Sequence, residues 1–235
     1  MTTSQKRKLI YIPVIHSGSD MGSIADDISK KGTSELGGEA WQVHINTVEK
    51  YWDLIAAYCE RPELDKKALK IYQDSMVADG EIASKIIEDN LKMGSRNYKI
   101  ISALISQGAL IAKTEDFSLV KKELDIYKSI SESDSLLKKL FKLLIIKRKR
   151  KALMKKRDAF IAASIDKTLL PDETGLLFLG AYHNILNKLP ADIEVVQVKE
   201  ISKVRQYQRL LPFQARYEKL FREIADYLTA PVSSG

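Results

Sequence analysis

The sequence predicts an α/β fold with a mostly parallel central sheet of about five strands, flanked by helices. Five short apolar segments alternate with helical patterns, which is typical of strands joined by helical crossovers. The run from Leu176 to Leu179 is continuously apolar, without the alternation of a half-exposed strand. Such runs indicate a strand covered on both faces, as parallel sheets require.

The predicted strands span residues 8–15, 68–74, 109–113, 175–181 and 193–198. The clearest predicted helix spans residues 39–60, because Trp41, Ile45, Val48, Trp52 and Ile55 fall three or four positions apart and form one apolar stripe. Further helices are predicted at 81–91, 98–107, 204–211 and 216–228, with a long helical segment over 116–170 that the serine-rich stretch 129–135 interrupts.

Length and composition bound the organisation of the chain. We expect residues 1–228 to form a single α/β domain, and residues 229–235 to form a loose tail. No apolar run is long enough to cross a membrane, and Pro13 and the short length of the first apolar run are unlike a signal peptide. The single cysteine, Cys59, excludes an intrachain disulfide and a cysteine-rich zinc site, so a cytoplasmic location is predicted.

The basic character of the chain is local. Of 38 Lys and Arg residues, eleven lie between Lys138 and Arg157, where Asp and Glu are absent, and the 27 others are outnumbered by 31 acidic residues. A basic helix interleaved with leucines can bind an anionic membrane surface or nucleic acid. It can equally be the solvated face of a long helix. Phe141 is the only aromatic residue there, which argues against base stacking.

Two histidines directly follow predicted strands. His16 comes after the first strand and His183 after the fourth. Because ligands bind beyond the carboxyl ends of parallel strands, we expect both imidazoles to reach one polar site. The alternative is that each histidine only bonds the backbone of its own loop. His44, in the predicted helix 39–60, is interpreted as an ordinary core-edge residue, and Cys59 as part of the core.

Carboxylates follow the second and third strands. Asp74 ends the second strand and Glu115 follows the third, so both should share the edge with the histidines. Imidazole and carboxylate together suit Mn, Fe, Zn or Co, and they also suit general acid–base chemistry. The alternative for Asp74 and Glu115 is turn formation or helix capping, and for Asp116 capping is the stronger interpretation because a helical pattern begins at Phe117.

The predicted site has a metal set, a catalytic set and two substrate contacts. His16, His183 and Asp74 are the predicted metal ligands. Glu115, Arg157 and Asp158 are the predicted catalytic residues, and Asp20 and Tyr182 the predicted substrate contacts, although Asp20 can also simply shape its loop. Arg157 is expected near a helix start, where it holds an anionic substrate or pairs with a site carboxylate; periodicity alone favours a surface arginine.

These residues resemble the TraB/PrgY–Tiki–ChaN–EreA superfamily. The segment Gly180-Ala181-Tyr182-His183 is similar to its second Gly-x-x-His motif, and Arg157-Asp158, taken as the opening of a helix, resembles the element before it. His16 falls where the first motif would be, with Pro13 in place of the glycine. The stretch 106–116 resembles the middle strand of the family, and Asp74 is the nearest equivalent of its early glutamate. Members of the family include metal-dependent peptidases, ester-hydrolysing proteins and haem-binding proteins, so the resemblance implies a site rather than one reaction.

The sequence therefore supports two functions for one site. The first is a metal-assisted hydrolase, peptidase-like or esterase-like, which acts on a small molecule or peptide. The second is a ligand-binding or sensing module that uses the same pocket without turnover, which the substitution at Pro13 favours. Self-association into a homo-oligomer stays open. Phosphate-binding glycine loops, HExxH helices and Gly-x-Ser-x-Gly elbows are absent from the sequence.

Overall fold

A parallel five-stranded sheet forms the centre of the computed structural model, which describes residues 6–16, 32–34, 36–131 and 136–232, with all side chains except those of 127–131 and 136–147. The strands are β1 (Arg7–Val14), β2 (Leu69–Gln73), β3 (Leu110–Ala112), β4 (Thr174–Gly180) and β5 (Ile193–Gln197). The α/β prediction is confirmed, and each strand lies within one residue of its predicted bounds at both ends.

Helices occupy the connections and the end of the chain. They are α1 (Gly38–Cys59), α2 (Gly80–Lys92), α3 (Arg96–Ser106), α4 (Phe117–Ser131), α5 (Leu136–Thr168), α6 (Ile201–Leu210) and α7 (Glu218–Thr229). The predicted helices are confirmed within three residues. The predicted break in the long helical segment falls between α4 and α5, at residues 132–135, which lie outside the described part of the chain.

The order of the strands across the sheet is β3-β2-β4-β1-β5, and every neighbouring pair is parallel. The chain therefore steps from β1 towards the β3 edge, then returns to β4 and crosses to β5. With right-handed crossovers, this reversal places the connections after β1 and β4 on opposite faces of the sheet. A crevice opens at the carboxyl edge where such connections separate, and this is where open α/β sheets bind ligands.

The core is built on both faces of the sheet. The four residues from Leu176 to Leu179 are fully buried, which agrees with their unbroken apolar pattern. Val48, Trp52, Ile55 and Cys59 of α1 are buried in the same cluster as the strands. Burial of each such side chain stabilises the fold by about 2 kcal/mol.

His44 belongs to this core rather than to the site. It is buried in α1, and its Nδ1 lies 2.9 Å from the hydroxyl of Tyr207 in α6. Burial lowers the pKa of His44 to about 4, so the ring is neutral near pH 7. The interpretation of His44 as a core-edge residue is therefore confirmed, as is that of Cys59 as a core residue.

The structure describes four residues, 229–232, of the predicted loose tail. Thr229 ends α7, and the carbonyl of Val232 accepts a hydrogen bond of 2.5 Å from Nη2 of Arg61. Val232 also packs against the core, so the chain stays attached to the domain through residue 232. No helix in the described residues is long and apolar enough to cross a membrane.

Candidate functional site

Polar residues that follow three of the strands lie at the carboxyl edge of the sheet. Asp74 follows β2, Glu115 lies three residues beyond β3, and His183 lies three residues beyond β4. Ligand atoms of these three residues all lie within 4.8 Å of one another. The parallel strands therefore bring together residues that are up to 109 positions apart in the chain, as expected from their places after the strands.

Arg157 of α5 joins the two strand-end carboxylates. Its Nε and Nη2 donate hydrogen bonds of 2.5 Å to the two oxygens of Glu115, in a bidentate pair. Nη2 also donates to Oδ1 of Asp74 over 3.0 Å, and Nη1 is paired with Glu123 of α4. One buried guanidinium thus holds three carboxylates that come from β2, the β3–α4 loop and α4.

Glu115 is the most enclosed member of this group. Its side chain is fully buried, and its Oε1 also accepts a hydrogen bond of 2.8 Å from the backbone N–H of Ser75. Burial raises the pKa of Glu115 above its usual value, and the hydrogen bonds from Arg157 only partly offset this. Because both oxygens are committed to Arg157, Glu115 mainly positions the arginine and the turn at Ser75.

Asp74 keeps one oxygen directed at the histidine. Its Oδ1 contacts Arg157 and the hydroxyl of Ser75, and its Oδ2 accepts a hydrogen bond of 3.1 Å from the N–H of Gly180. Burial alone would raise the pKa of Asp74, but the charges of His183, Arg157 and His16 outweigh it and lower the pKa to about 2. Asp74 is therefore a carboxylate at all physiological pH values.

His183 is held between two carboxylates. Its Nδ1 lies 2.7 Å from Oδ1 of Asp158, and its Nε2 lies 3.8 Å from Oδ2 of Asp74. The other oxygen of Asp158 accepts from the N–H of Asn184, which fixes the carboxylate against the histidine loop. Burial alone would lower the pKa of His183, but the bond with Asp158 and the charge of Asp74 raise it. This arrangement directs Nε2 towards the site, as in metal-bound histidines supported by a carboxylate.

His16 lies on the same edge but outside the three-residue group. Its charge is one of the causes, after those of His183 and Arg157, that lower the pKa of Asp74. The end of β1 that carries it is fixed by α1: the hydroxyl of Tyr51 donates to the carbonyl of Pro13, and Nε1 of Trp52 donates to that of Ile15. His16 itself is exposed, whereas His183 is buried. Of the three predicted metal ligands, Asp74 and His183 therefore belong to the three-residue group. The third member of the group is Glu115 rather than His16.

Ser75 adopts an unusual backbone conformation beside the site. Its φ is 63°, in the left-handed region that a residue with a side chain rarely adopts. In this conformation its N–H reaches Glu115 and its hydroxyl reaches Asp74. Non-glycine residues with positive φ are concentrated at functional sites, where surrounding contacts maintain the strain.

A cleft of about 330 Å³ opens next to His183 and runs towards the start of α6. Nε and Nη2 of Arg205, which lines it, both donate to the carbonyl of Ala181, over 3.0 and 2.6 Å. Tyr182 is 55% exposed, and its ring lies 5.9 Å from the Arg205 guanidinium carbon. Arg205 therefore supports the turn that carries His183, and Tyr182 is accessible to a substrate.

Two expectations about Arg157 are corrected. The arginine is buried rather than on the surface, because its charge is neutralised by three carboxylates. Arg157 and Asp158 also lie well inside α5, which begins at Leu136, and not at a helix start. Pairing of Arg157 with a site carboxylate, the other option from the sequence, is confirmed. Its guanidinium is therefore occupied, which leaves little of it for an anionic substrate.

The carboxylates predicted near the strand ends have different roles. Asp116 caps α4, because its Oδ1 accepts from the backbone N–H groups of Ser118 and Leu119, as predicted. Turn formation is only part of the role of Asp74 and Glu115: both bond Ser75 in the turn after β2, and both also pair with Arg157. Asp20 lies outside the described residues. Glu123, Ser75 and Arg205 were not expected; their roles depend on how α4, the β2 turn and α6 pack, and no local sequence signal marks them.

Comparison with known proteins found no matching family model, no matching curated protein and no matching solved structure.

Proposed function

We propose that this protein is a metal-dependent hydrolase in which His183 and Asp74 hold a divalent ion at the carboxyl edge of the sheet. The observation that carries this proposal is the placement of Nε2 of His183 3.8 Å from Oδ2 of Asp74, with the opposite ring nitrogen held by Asp158. Two ligands of one ion with bonds of about 2.1 Å lie at a similar separation when the angle at the metal is wide.

The charge balance of the site favours a cation. Four carboxylates, those of Asp74, Glu115, Glu123 and Asp158, surround one arginine and one histidine, and all are buried or nearly so. Even with His183 protonated, the group carries excess negative charge. A buried excess of this kind is costly unless a cation or protons neutralise it.

The residues present fit a site with one carboxylate and one or two imidazoles. Oδ2 of Asp74 and Nε2 of His183 lie 3.8 Å apart, and in this proposal His16, which follows β1 at the same edge of the sheet, supplies the second imidazole of a set of two histidines and one carboxylate. That ligand set suits Mn, Fe, Zn or Co. Glu115 is a weaker candidate ligand than its position indicates, because Arg157 and Ser75 already occupy its oxygens.

Each residue of the site has a separate role in this proposal. His183 and Asp74 would hold the divalent ion, which when bound would supply the activation of water as a nucleophile near neutral pH. Asp158 orients His183 and makes its free nitrogen more basic. Arg157 holds Asp74 in place and, with His183, keeps it ionised, and the cleft beside His183 receives a small-molecule or peptide substrate.

The likeness to the TraB/PrgY–Tiki–ChaN–EreA superfamily is part of the same proposal. It is supported by the tasks found for Gly180 and His183, because the glycine bonds Asp74 and the histidine faces it. The single buried cysteine supports a cytoplasmic location for the activity.

Metal analysis of the untagged protein tests this function. We expect about one transition-metal ion per chain, or a thermal stabilisation on adding Mn, Zn or Co. Asp74→Asn and His183→Gln should lose the ion, whereas the controls Asp79→Asn and His44→Gln should retain it. The metal-loaded protein should then hydrolyse members of an ester and peptide panel. Absence of both bound metal and thermal stabilisation would contradict the proposal.

A non-catalytic binding module is the second candidate. It is favoured by one observation: Arg157 donates hydrogen bonds to both oxygens of Glu115 and to one oxygen of Asp74. Few groups are therefore left for proton transfer. In this case the metal would bind, but the hydrolase panel would give no turnover that depends on His183.

A further inference from the structure

Helices α4 and α5 follow one another in the chain and pack against each other, and this pair is called the α4–α5 hairpin. None of residues 117–126 in α4 is buried. In α5, residues 148–152 are all exposed, and five consecutive residues cover more than one full turn of a helix. The first buried residue among the described side chains of α5 is Leu153, and burial continues from there through Ile161 and Ile165. Leu153 lines the groove against α4, and the first residue of α5 in the domain core is Ile161, so residues 148–152 lie outside that core.

The exposed part of this hairpin is strongly basic. Lys121 and Lys122 of α4 and Arg148, Lys149 and Lys151 of α5 are exposed, and the next turn of α5 adds Lys155 and Lys156. From 138 to 157 the sequence has eleven basic residues and lacks Asp and Glu. Asp125 is the one acidic residue that lines the groove between the helices, and it faces three lysines there. The surface is thus suited to a polyanion.

The same hairpin also presents apolar surface. A groove of about 340 Å³ has an apolar floor of Ile126, Ala152 and Leu153, with Lys122, Lys149 and Lys156 around it. Leu124 is 55% exposed and Phe117 is 63% exposed on α4. In the sequence, residues 136–146 comprise eight apolar residues and three lysines. A partner for this surface must accept apolar side chains as well as cations.

We propose that the α4–α5 hairpin docks on the surface of an anionic lipid bilayer. Lysine and arginine bind acidic headgroups, while leucine, isoleucine and phenylalanine enter the boundary between headgroups and acyl chains. Duplex nucleic acid would neutralise the same cations but would leave Leu124 and the groove floor in water. The bilayer therefore accounts for both features of the surface, and the proposal is independent of the metal site.

Vesicle binding by the full-length protein tests this inference. The probes are phosphatidylcholine vesicles with and without phosphatidylglycerol, each at 50 and 500 mM salt, and a duplex DNA of about 20 base pairs. We expect binding to the anionic vesicles at low salt, weakened at least about tenfold at high salt. Vesicles of phosphatidylcholine alone should bind at least about tenfold more weakly.

Two pairs of variants separate charge from apolar contact. The combined change of Arg148, Lys149, Lys151 and Lys155 to Gln should weaken binding at least about tenfold. The control, with four exposed lysines at positions 85, 99, 188 and 219 changed to Gln, alters net charge equally and should stay within about twofold. Leu124→Gln should also weaken binding, whereas Ile82→Gln, at a residue 65% exposed on α2, should not.

Several outcomes would overturn the proposal. One is absence of binding to anionic vesicles at low salt. Another is an equal decrease in vesicle affinity in the hairpin quadruple variant and in the control quadruple variant. The third is binding to duplex DNA without binding to vesicles. Circular dichroism and thermal unfolding verify that each variant is folded. If the quadruple variant fails to fold, the comparison of Leu124→Gln with Ile82→Gln decides, and equal binding of the two contradicts bilayer docking.

Discussion

The backbone N–H of Gly180 donates a hydrogen bond to Oδ2 of Asp74, which links the ends of adjacent strands β4 and β2 over 3.1 Å. A Cβ atom at position 180 would lie 3.2 Å from that oxygen and 3.6 Å from Cδ2 of His183. The carbonyl of Gly180 accepts from the N–H of His183. The glycine three residues before the histidine therefore leaves room for the imidazole and the carboxylate at this separation.

Gly180→Ala should disturb the site more than the fold. The added methyl group must push Asp74 or His183 away, so we expect metal affinity to fall by about 10-fold or more. The free energy of unfolding should decrease by about 1–2 kcal/mol because of overpacking. Metal titration and denaturant unfolding measure the two effects. The control is Gly38→Ala, where the nearest atom to the new Cβ is 3.9 Å away. Equal metal affinity in the two variants would contradict this role for Gly180.

Asp158→Asn should lower the pKa of His183. Burial of the imidazole opposes its protonation, but the bond to Asp158 and the charge of Asp74 together raise the pKa. Without the Asp158 charge, less negative charge remains to offset the effect of burial on the imidazole. The pKa of His183 should therefore fall, and the ring should lose its proton at a lower pH. NMR titration of the imidazole in the metal-free protein measures the change. Asp166→Asn, about two turns further along α5 and near its C-terminus, is the control, and an unchanged His183 pKa in Asp158→Asn would be inconsistent with the geometry.

Asp74→Asn should remove a pH-dependent part of the stability. The folded pKa of Asp74 is about 2, below its ordinary 3.8, so the carboxylate stabilises the fold above pH 3.8. This contribution, about 2 kcal/mol, is lost as the pH falls through about 2. In the presence of a chelator, the difference in unfolding free energy between wild type and variant should therefore shrink between pH 4 and pH 2. A difference that stays constant over this range would refute the assignment.

Ser75→Gly and Ser75→Ala should differ in stability. Both variants lose the hydroxyl that bonds Asp74, but only glycine adopts a φ of 63° without strain. We expect the glycine variant to be more stable than the alanine variant by about 1 kcal/mol, as measured by denaturant unfolding. If the alanine variant were equally stable, the left-handed backbone at Ser75 would not be strained.

The strands and their polar ends were predictable because both depend on local pattern. The apolar run of β4 and the residues that follow β2, β3 and β4 fix which side chains reach the carboxyl edge once the strands are parallel. Asp74, Glu115 and His183 were found in this way. The weaker position of His16 was not predictable, since whether its imidazole enters the group depends on the turn after β1 rather than on the strand.

The helix contributions could not be derived from the sequence. The burial of Arg157 depends on the packing of α5 against the sheet and α4, and its periodicity alone suggested a surface residue. Glu123 joins the site only because α4 packs beside α5. The left-handed turn at Ser75 is likewise stabilised by a residue 40 positions away, Glu115. Such contacts arise from tertiary packing, which residue patterns do not encode directly.

Pulsed electron paramagnetic resonance of the Mn²⁺-loaded protein detects nitrogen bound to the metal, so it tests whether His183 is a metal ligand. We expect the signature of a coordinated imidazole nitrogen in wild type, its loss in His183→Gln, and its retention in His44→Gln. A manganese signal without a bound imidazole nitrogen, or one that survives unchanged in His183→Gln, would contradict the assignment of His183 as a ligand.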